Sequence, residues 1–388
     1  MKQKRMEKKP NVLFILNPER GAGSGMGLLE VAKCLDRNRY EVILGLLKNV
    51  PYEEAIVPPD FKKIQFSLPD LRGVFMLRFF IRLLLALWRN DIHILHVNSY
   101  GIGNWARLAA VLMRVPIIVD HWRGLQRINP KRRLICQVLG RFTDISLTIS
   151  RSVRNHIAEQ CRLPLEQFKI NYVGIDCSRY QCGRPKDFVR RELGLPLDKP
   201  VVGIVARLDH WGKGHQELFP ALAKVRRQYP VHALVVGGGR KQEEVQKKAV
   251  EMGLGDIVHF VGIRHDIPDM LAAMDIFTIP SHSEGLCRAL LEAMAAGLPV
   301  IASKVGGMVE VVQHEENGLL IPPRDPEALA QALLRLLADP DWAKTLGQKA
   351  QAHVRKYFSL DRMSREINEV YDELVRKKLP HFYLGLTA

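Results

Sequence analysis

The sequence predicts an α/β protein of two doubly wound domains, and three observations carry that expectation. Short Val-, Ile- and Leu-rich runs without polar alternation recur along the chain, as in parallel strands covered on both faces. Amphipathic stretches of helical period separate them, the order that crossover helices impose. A length of 388 residues suits two domains of about 150–200 residues each.

In the first half strands are expected at 12–16, 40–46, 92–97, 116–120 and 145–149. In the second half they are expected at 201–206, 232–237, 258–261, 276–279, 299–303 and 318–321. Helical patterns fill the gaps, among them 74–89, 214–228, 241–252 and 327–337. The polar, Pro- and Gly-containing segment 176–199 breaks this rhythm, which places the boundary near 181–185 and gives domains 1–182 and 183–359. From Asp341 onward the chain reads as two helices, split near Phe358 and Ser359. Two doubly wound sheets place a ligand cleft at the carboxyl ends of their strands.

Composition narrows the class. With 47% hydrophobic and 25% charged residues the chain has ample core, and disordered, collagen-like and disulfide-scaffold classes are excluded. The longest stretch free of Lys, Arg, Asp and Glu, 92–106, falls short of the ~18 apolar residues of a spanning helix. Lys2, Lys4, Arg5, Lys8 and Lys9 look like the start of a signal peptide, but the apolar run after them is too short and ends in Asn17-Pro18. A cytoplasmic protein is expected, and six scattered cysteines without a CxxC pair read as free thiols. The charge is uneven: 29 − 15 = +14 over residues 1–182 against 28 − 26 = +2 over 183–388. Such a first half faces something anionic, whether nucleic acid, a phosphorylated glycan or a membrane surface.

Several residue groups carry candidate chemistry. After the strand at 276–279, Ser281 and Ser283 are expected at the mouth of a helix, with Glu284 near its N-terminus and Glu292 two turns further in. The free N–H groups of such a first turn hold sugar hydroxyls or phosphate oxygens; alternatively Glu284 is a first-turn acid and Glu292 lies on a solvent stripe. Arg207 and Lys213, after the strand at 201–206, are either two cations that neutralise a diphosphate or surface charges on a loop. The early glycines Gly21, Gly23, Gly25 and Gly27 read as a loop that lets backbone approach a ligand. His121, after Asp120 at a strand end, is a candidate acid/base group or hydroxyl donor. Gly101, Gly103 and Ala106, with Asp120 downstream, satisfy a dinucleotide fingerprint and support an alternative, an NAD(P)-dependent oxidoreductase. A second alternative, a non-catalytic nucleic-acid-binding protein, rests on the basic half alone. Metal motifs are missing, and Asp339-Pro340-Asp341 reads as a helix cap, so no metal is expected.

Taken together, these segments resemble the retaining glycosyltransferases of family 4. The resemblance rests on Glu284 and Glu292 as an E-x7-E pair, on Arg207 and Lys213-Gly214, and on Gly237 to Gly239. It continues through Asp275-Ile-Phe-Thr-Ile-Pro-Ser, Val305-Gly-Gly-Met-Val-Glu310, Glu316-Asn-Gly and Asp325-Pro-Glu-Ala-Leu. The first half matches more loosely, through the glycine loop, His121, Thr148-Ile-Ser and Gly174-Ile-Asp176. The usual Glu-Gly-Phe-Gly reads Glu284-Gly-Leu-Cys287 here, and Val173 replaces an Asn.

The resemblance implies a GT-B fold: two Rossmann-like domains with an interdomain cleft, the first binding acceptor and the second a nucleotide sugar. It implies that the last helix, 360–388, returns to the first domain. It assigns Arg207 and Lys213 to the diphosphate, Glu292 to the ribose hydroxyls, and Glu284 with Gly285, Leu286 and Cys287 to the donor sugar. His121 would sit near the reacting sugar, and Gly23 and Gly25 would face the diphosphate. The implied reaction is metal-independent transfer with retention, by front-side attack in which the leaving phosphate takes the acceptor proton. The basic first half adds an anionic glycan or glycolipid acceptor, of cell-surface polysaccharide or lipopolysaccharide type, met at an anionic membrane surface. The helix at 74–89 fits a lipid interface, or else a core helix with a basic solvent stripe.

Overall fold

A computed structural model describes residues 9–16, 22–48, 58–67, 74–98, 101–181 and 183–383. The basic run up to Lys8, Gly21 and Cys182 lie outside them. The chain forms two compact units, one of Met1–Val173 with Asp361–Ala388 and one of Gly174–Leu360. Segment 174–182 therefore falls in the second unit, not in the first as the sequence suggested. Ile175 N–H bonds Phe358 O and Leu360 N–H bonds Ile175 O, so the two stretches of the second unit next to the chain crossings pair with each other.

The first unit runs β1 (Asn11–Leu16), α1 (Ala22–Cys34), β2 (Glu41–Lys48), β3 (Lys62–Ser67), α2 (Val74–Arg89), β4 (Ile92–Asn98), α3 (Ile102–Leu112), β5 (Ile117–Trp122), α4 (Pro130–Gly140), β6 (Ile145–Thr148), α5 (Arg151–Cys161) and β7 (Phe168–Ile170). Its seven strands form one parallel sheet in the order β3-β2-β1-β4-β5-β6-β7. The order reverses between β1 and β4, and both strands are buried almost throughout. The edge strands β3 and β7 escape the sequence reading because they lack a continuous apolar run: Lys62 and Lys63 open one, and the other has three residues. Charged, short edges of this kind also resist pairing with other chains.

The second unit runs α6 (Lys186–Glu192), β8 (Val201–Val205), α7 (His215–Val225), β9 (His232–Val236), α8 (Gln242–Glu251), β10 (Val258–Phe260), α9 (Ile267–Ala272), β11 (Ile276–Ile279), α10 (Arg288–Ala295), β12 (Val300–Ser303), α11 (Met308–Val311), β13 (Leu319–Ile321), α12 (Pro326–Ala338) and α13 (Pro340–Tyr357). Its six parallel strands stand in the order β10-β9-β8-β11-β12-β13, reversing between β8 and β11. Asp339 accepts from Trp342 N–H and caps α13, the role expected of the acid pair there.

Helix α14 (Leu360–Lys378) and the short α15 (Pro380–Tyr383) follow. Met363, Ile367, Val370, Tyr371 and Val375 share one face of α14 at helical spacing and are buried. Each contributes roughly 1.5–3 kcal/mol of apolar burial. Asn368 fixes the docking by donating to Cys34 O and accepting from Asp36 N–H, and Tyr40 donates its hydroxyl to Asp372. Helix α2 is arranged differently. It buries Phe79, Leu83 and Leu87, yet turns Leu77, Ile81, Leu85 and Trp88 outward beside Arg78, Arg82 and Arg89.

Candidate functional site

The second unit gathers its candidate residues at the carboxyl ends of β8 and β11, the two strands that flank the reversal of strand order. Such a point is where doubly wound sheets leave an opening for ligands. Arg207 follows β8, and Lys213 comes from the single 3₁₀ turn Trp211–Lys213 just beyond. Gly214 then opens α7 at φ 87°, and a Cβ there would lie 2.2 Å from Pro280 O. Only glycine allows that conformation and that approach, and the contact seats Lys213 against the loop after β11. There Lys213 Nζ pairs with Glu284 Oε1 at 2.5 Å, and Ser281 donates to the same oxygen at 2.9 Å. Burial opposes the Lys213 charge, but Glu284 outweighs it and the ammonium pKa stands above its ordinary value. Arg207 is close enough to act on Lys213 electrostatically and also contacts Asp209 at 3.1 Å. His282 ties the loops further through Gly212 O and Glu217.

Glu284 to Cys287 form a loop, because α10 begins only at Arg288 with Cys287 as its N-cap. Glu284 is therefore not a first-turn acid, as one reading of the sequence had it. The loop is held by the turn before α11: Gly307 N–H bonds Glu284 O, and a Cβ on Gly307 would meet Gly285 O at 2.1 Å. The Val305-Gly-Gly segment thus supports the Glu284-Gly285 backbone. Leu286 and Cys287 turn their side chains inward. Burial and the nearby Glu284 push the Cys287 thiol up to about 12, so it stays protonated.

Glu292 lies on α10 and is buried, not on a solvent stripe. Its Oε1 accepts from Arg288 Nε and from Tyr180 Oη, each at 2.8 Å. Tyr180 is a site residue the sequence reading missed. It lies 112 residues from Glu292, in a 3₁₀ turn capped by Asp176, and no spacing marks it. Burial and Glu292 raise its phenol pKa, which keeps the hydroxyl a donor.

The first unit holds the rest. His121 lies within β5, buried, with its Nδ1 3.4 Å from His96 Nε2 and its Nε2 without a hydrogen-bond partner among the described residues. Burial, Arg123 and His96 all depress its pKa well below the ordinary value, so the imidazole is neutral. Gly23 and Gly25 are not in a loop as expected: they belong to the opening turns of α1, directly after β1. A Cβ on Gly27 in the same helix would strike the Arg123 guanidinium, so that glycine admits the arginine.

The dinucleotide fingerprint does not survive the geometry. Asp120 Oδ2 is held by Arg107 at 2.9 Å with both side chains buried, so the acid meant for a ribose is already paired. A Cβ on Gly103 would lie 1.6 Å from Asn98 O, so this glycine serves the packing of α3 on β4. Arg107, one of the basic residues behind the +14 of the first half, is thus buried and not a surface cation. Among the described residues no three His, Cys, Asp or Glu side chains gather as a metal site would require, and the cysteines at 34, 136, 161 and 287 are free thiols.

Comparison with known proteins bears on both units. Residues 21–179 match the model of Glycosyltransferase Family 4, and residues 185–353 that of Glycosyl transferases group 1. The chain is 32% identical over 275 residues to the GDP-mannose-dependent alpha-(1-6)-phosphatidylinositol monomannoside mannosyltransferase of Mycobacterium tuberculosis, covering 68% of this chain and 70% of that one. It is 34% identical over 213 residues to the D-inositol 3-phosphate glycosyltransferase of Corynebacterium jeikeium, where it spans 52% of this chain and only half of the relative. Among solved structures, Anabaena HepE in complex with UDP and glucose superposes with a TM-score of 0.82 at 24% identity, over 94% of this chain and all of that one.

Proposed function

The chain belongs to the family 4 glycosyltransferases, with the GT-B fold, and from that premise we infer that it moves a sugar from a nucleoside-diphosphate sugar to a hydroxyl of an anionic acceptor. The observation that carries this reading is the Lys213–Glu284–Ser281 cluster beside Arg207 at the reversal of the second sheet. Lys213 and Arg207 face the diphosphate, and their charge stabilises the negative charge that develops as the bond from sugar to phosphate breaks. Glu284, fixed by Lys213 and Ser281, and the backbone of Gly285, Leu286 and Cys287 hold the donor sugar. Glu292 has Oε1 committed to Arg288 and Tyr180, and its other oxygen takes the ribose hydroxyls. His121 of the first unit meets the reacting sugar, and Gly23 and Gly25, in the first turns of α1, present backbone N–H groups to the diphosphate.

Transfer proceeds with retention of anomeric configuration and needs no metal, since side-chain cations supply the charge at the leaving group. The acceptor hydroxyl attacks the anomeric carbon from the side of the departing phosphate, whose oxygen takes the hydroxyl proton. Turnover therefore persists in EDTA; activity that vanishes there and returns with Mn²⁺ contradicts this part of the reading.

The acceptor is a phosphorylated glycan or glycolipid of the cell-surface polysaccharide or lipopolysaccharide type, met at the cytoplasmic face of a membrane. Two relatives carry names that specify phosphorylated acceptors, inositol 3-phosphate and a phosphatidylinositol mannoside. The outward stripe of α2 adds to this, because Leu77 and Trp88 are 59% and 69% exposed beside arginines, a face suited to an anionic lipid interface. No helix among the described residues is long and apolar enough to cross a membrane. A panel of nucleotide sugars screened by thermal shift tests the donor assignment, since a ligand of the folded state alone raises the midpoint. A panel that includes UDP-glucose and GDP-mannose and moves no midpoint refutes it.

A further inference from the structure

Three buried side chains of the first unit form a continuous line that ends at His121. Tyr371, on α14, brings its Oη to 2.7 Å from His96 Nδ1. His96 Nε2 lies 3.4 Å from His121 Nδ1. The rings are held in place: His96 stacks on Phe14 at 4.7 Å, and the register Asn98↔His121 puts His96 and His121 on one face of the sheet. At the far end His121 Nε2 is buried and has no hydrogen-bond partner among the described residues, a costly condition unless a ligand completes it.

The direction of this line follows from proton counting. Burial holds His96 down to about 3, and His121 is depressed as well, so each ring is neutral and carries one N–H. Two arrangements are then possible. In one, Tyr371 donates to His96 Nδ1, His96 Nε2–H donates to His121 Nδ1, and His121 is left with a proton on Nε2. In the other every bond is reversed, His121 Nε2 is a bare lone pair, and the Tyr371 proton must find another acceptor. Tyr371 is fully buried, its one hydrogen bond among the described residues is to His96, and the neighbouring Tyr40 has its own hydroxyl committed to Asp372. The second arrangement thus strands a buried hydroxyl proton, which disfavours it by ~10-fold or more.

We propose that Tyr371 and His96 are positioning residues that lock His121 in the Nε2–H tautomer, making it a fixed hydrogen-bond donor to an oxygen of the bound sugar and not a proton acceptor. This deepens the reading of His121 given above and rests on it for the identity of the sugar. The tautomer itself is independent of that reading. A neutral imidazole shows its tautomer through the bond its other nitrogen makes, and here that bond is traced to a phenol on the returning helix.

Long-range ¹H–¹⁵N correlation spectra of the full chain with ¹⁵N-labelled histidine read the tautomer directly, with His121→Gln assigning the signals. The wild type is expected to show His121 protonated at Nε2. Tyr371→Phe removes the hydroxyl that donates to His96 Nδ1 and is expected to give a mixture of tautomers and about a tenfold loss of kcat, with nucleotide-sugar affinity unchanged. Tyr40→Phe loosens the same helix through Asp372 without touching the line, and is expected to leave the tautomer as it was. An Nδ1–H tautomer in the wild type overturns the proposal without any variant, as does a Tyr371→Phe spectrum equal to wild type, or equal scrambling by Tyr40→Phe. If instead no sugar transfer is found while the tautomers behave as stated, it is the glycosyltransferase activity that fails and the locking that stands.

Discussion

Lys213 and Glu284 illustrate how a charge pair is tuned at the residue scale. The lysine is mostly covered and keeps its proton because a carboxylate lies at 2.5 Å, so it is a fixed cation, the form that the proposed diphosphate role requires. Lys213→Ala and Arg207→Ala should each lower kcat on the order of 10²-fold or more with a smaller effect on KM, because their charges matter most as leaving-group charge develops. Wild-type kcat with only weakened donor binding in steady-state kinetics would sink that role. His215, behind Lys213, has no hydrogen-bond partner for either ring nitrogen among the described residues, and burial with the Lys213 charge pushes it down to about 4. Between pH 6.5 and 4 the unfolded chain binds a proton there that the folded chain refuses. Its contribution is present above pH 6.5 and is lost as pH falls, by about 1.4 kcal/mol per pH unit. Denaturant titrations of His215→Gln should show a shallower loss of stability than wild type across that window. At this scale Arg207, Lys213, Glu284 and Glu292 were legible as spacings within short segments. Tyr180, His96 and Tyr371 were not, because their partners lie 112 and 275 residues away and only the fold brings them together.

Among the elements, the central strands were easiest to read. Burial on both faces demands continuous apolar runs, and all six strands of the second sheet were visible for that reason. Edge strands β3 and β7 escape the same physics and so escaped the reading. Helix α10 was placed correctly as an element but four residues too early at its start, since Leu286 and Cys287 continue its apolar pattern while the Gly307 contact holds the segment as a loop. Helix α2 had the reverse problem: its length was clear, but periodicity alone left open which face pointed inward. With Leu77, Ile81, Leu85 and Trp88 outward, the full chain should bind anionic vesicles at low salt and release them as ionic strength rises. Flotation of a Leu77→Ser, Ile81→Ser, Trp88→Ser variant should show several-fold less bound protein. Binding by the variant equal to that of wild type would remove lipid from the role of this face.

For the whole molecule the charge is uneven: +14 over residues 1–182 and +2 over 183–388. Part of the basic excess is internal, since Arg107 is spent on Asp120 and Arg133 donates to Gln160 O. Lys131 and Arg132 stand in the first turn of α4, where Asn129 caps the helix. Replacing Lys131, Arg132 and Arg133 with Ser should raise acceptor KM while donor affinity stays unchanged; normal acceptor kinetics would assign the charge another purpose. In the proposed function the second unit binds the nucleoside-diphosphate part of the donor, through Glu292 for the nucleoside and Lys213 for the diphosphate. Isothermal titration of free UDP and GDP into the wild type and into Glu292→Ala tests it most directly. One of the two nucleotides is expected to bind the wild type, and Glu292→Ala to weaken it at least tenfold. Undiminished binding to Glu292→Ala, or no binding of either nucleotide to the wild type, would contradict it.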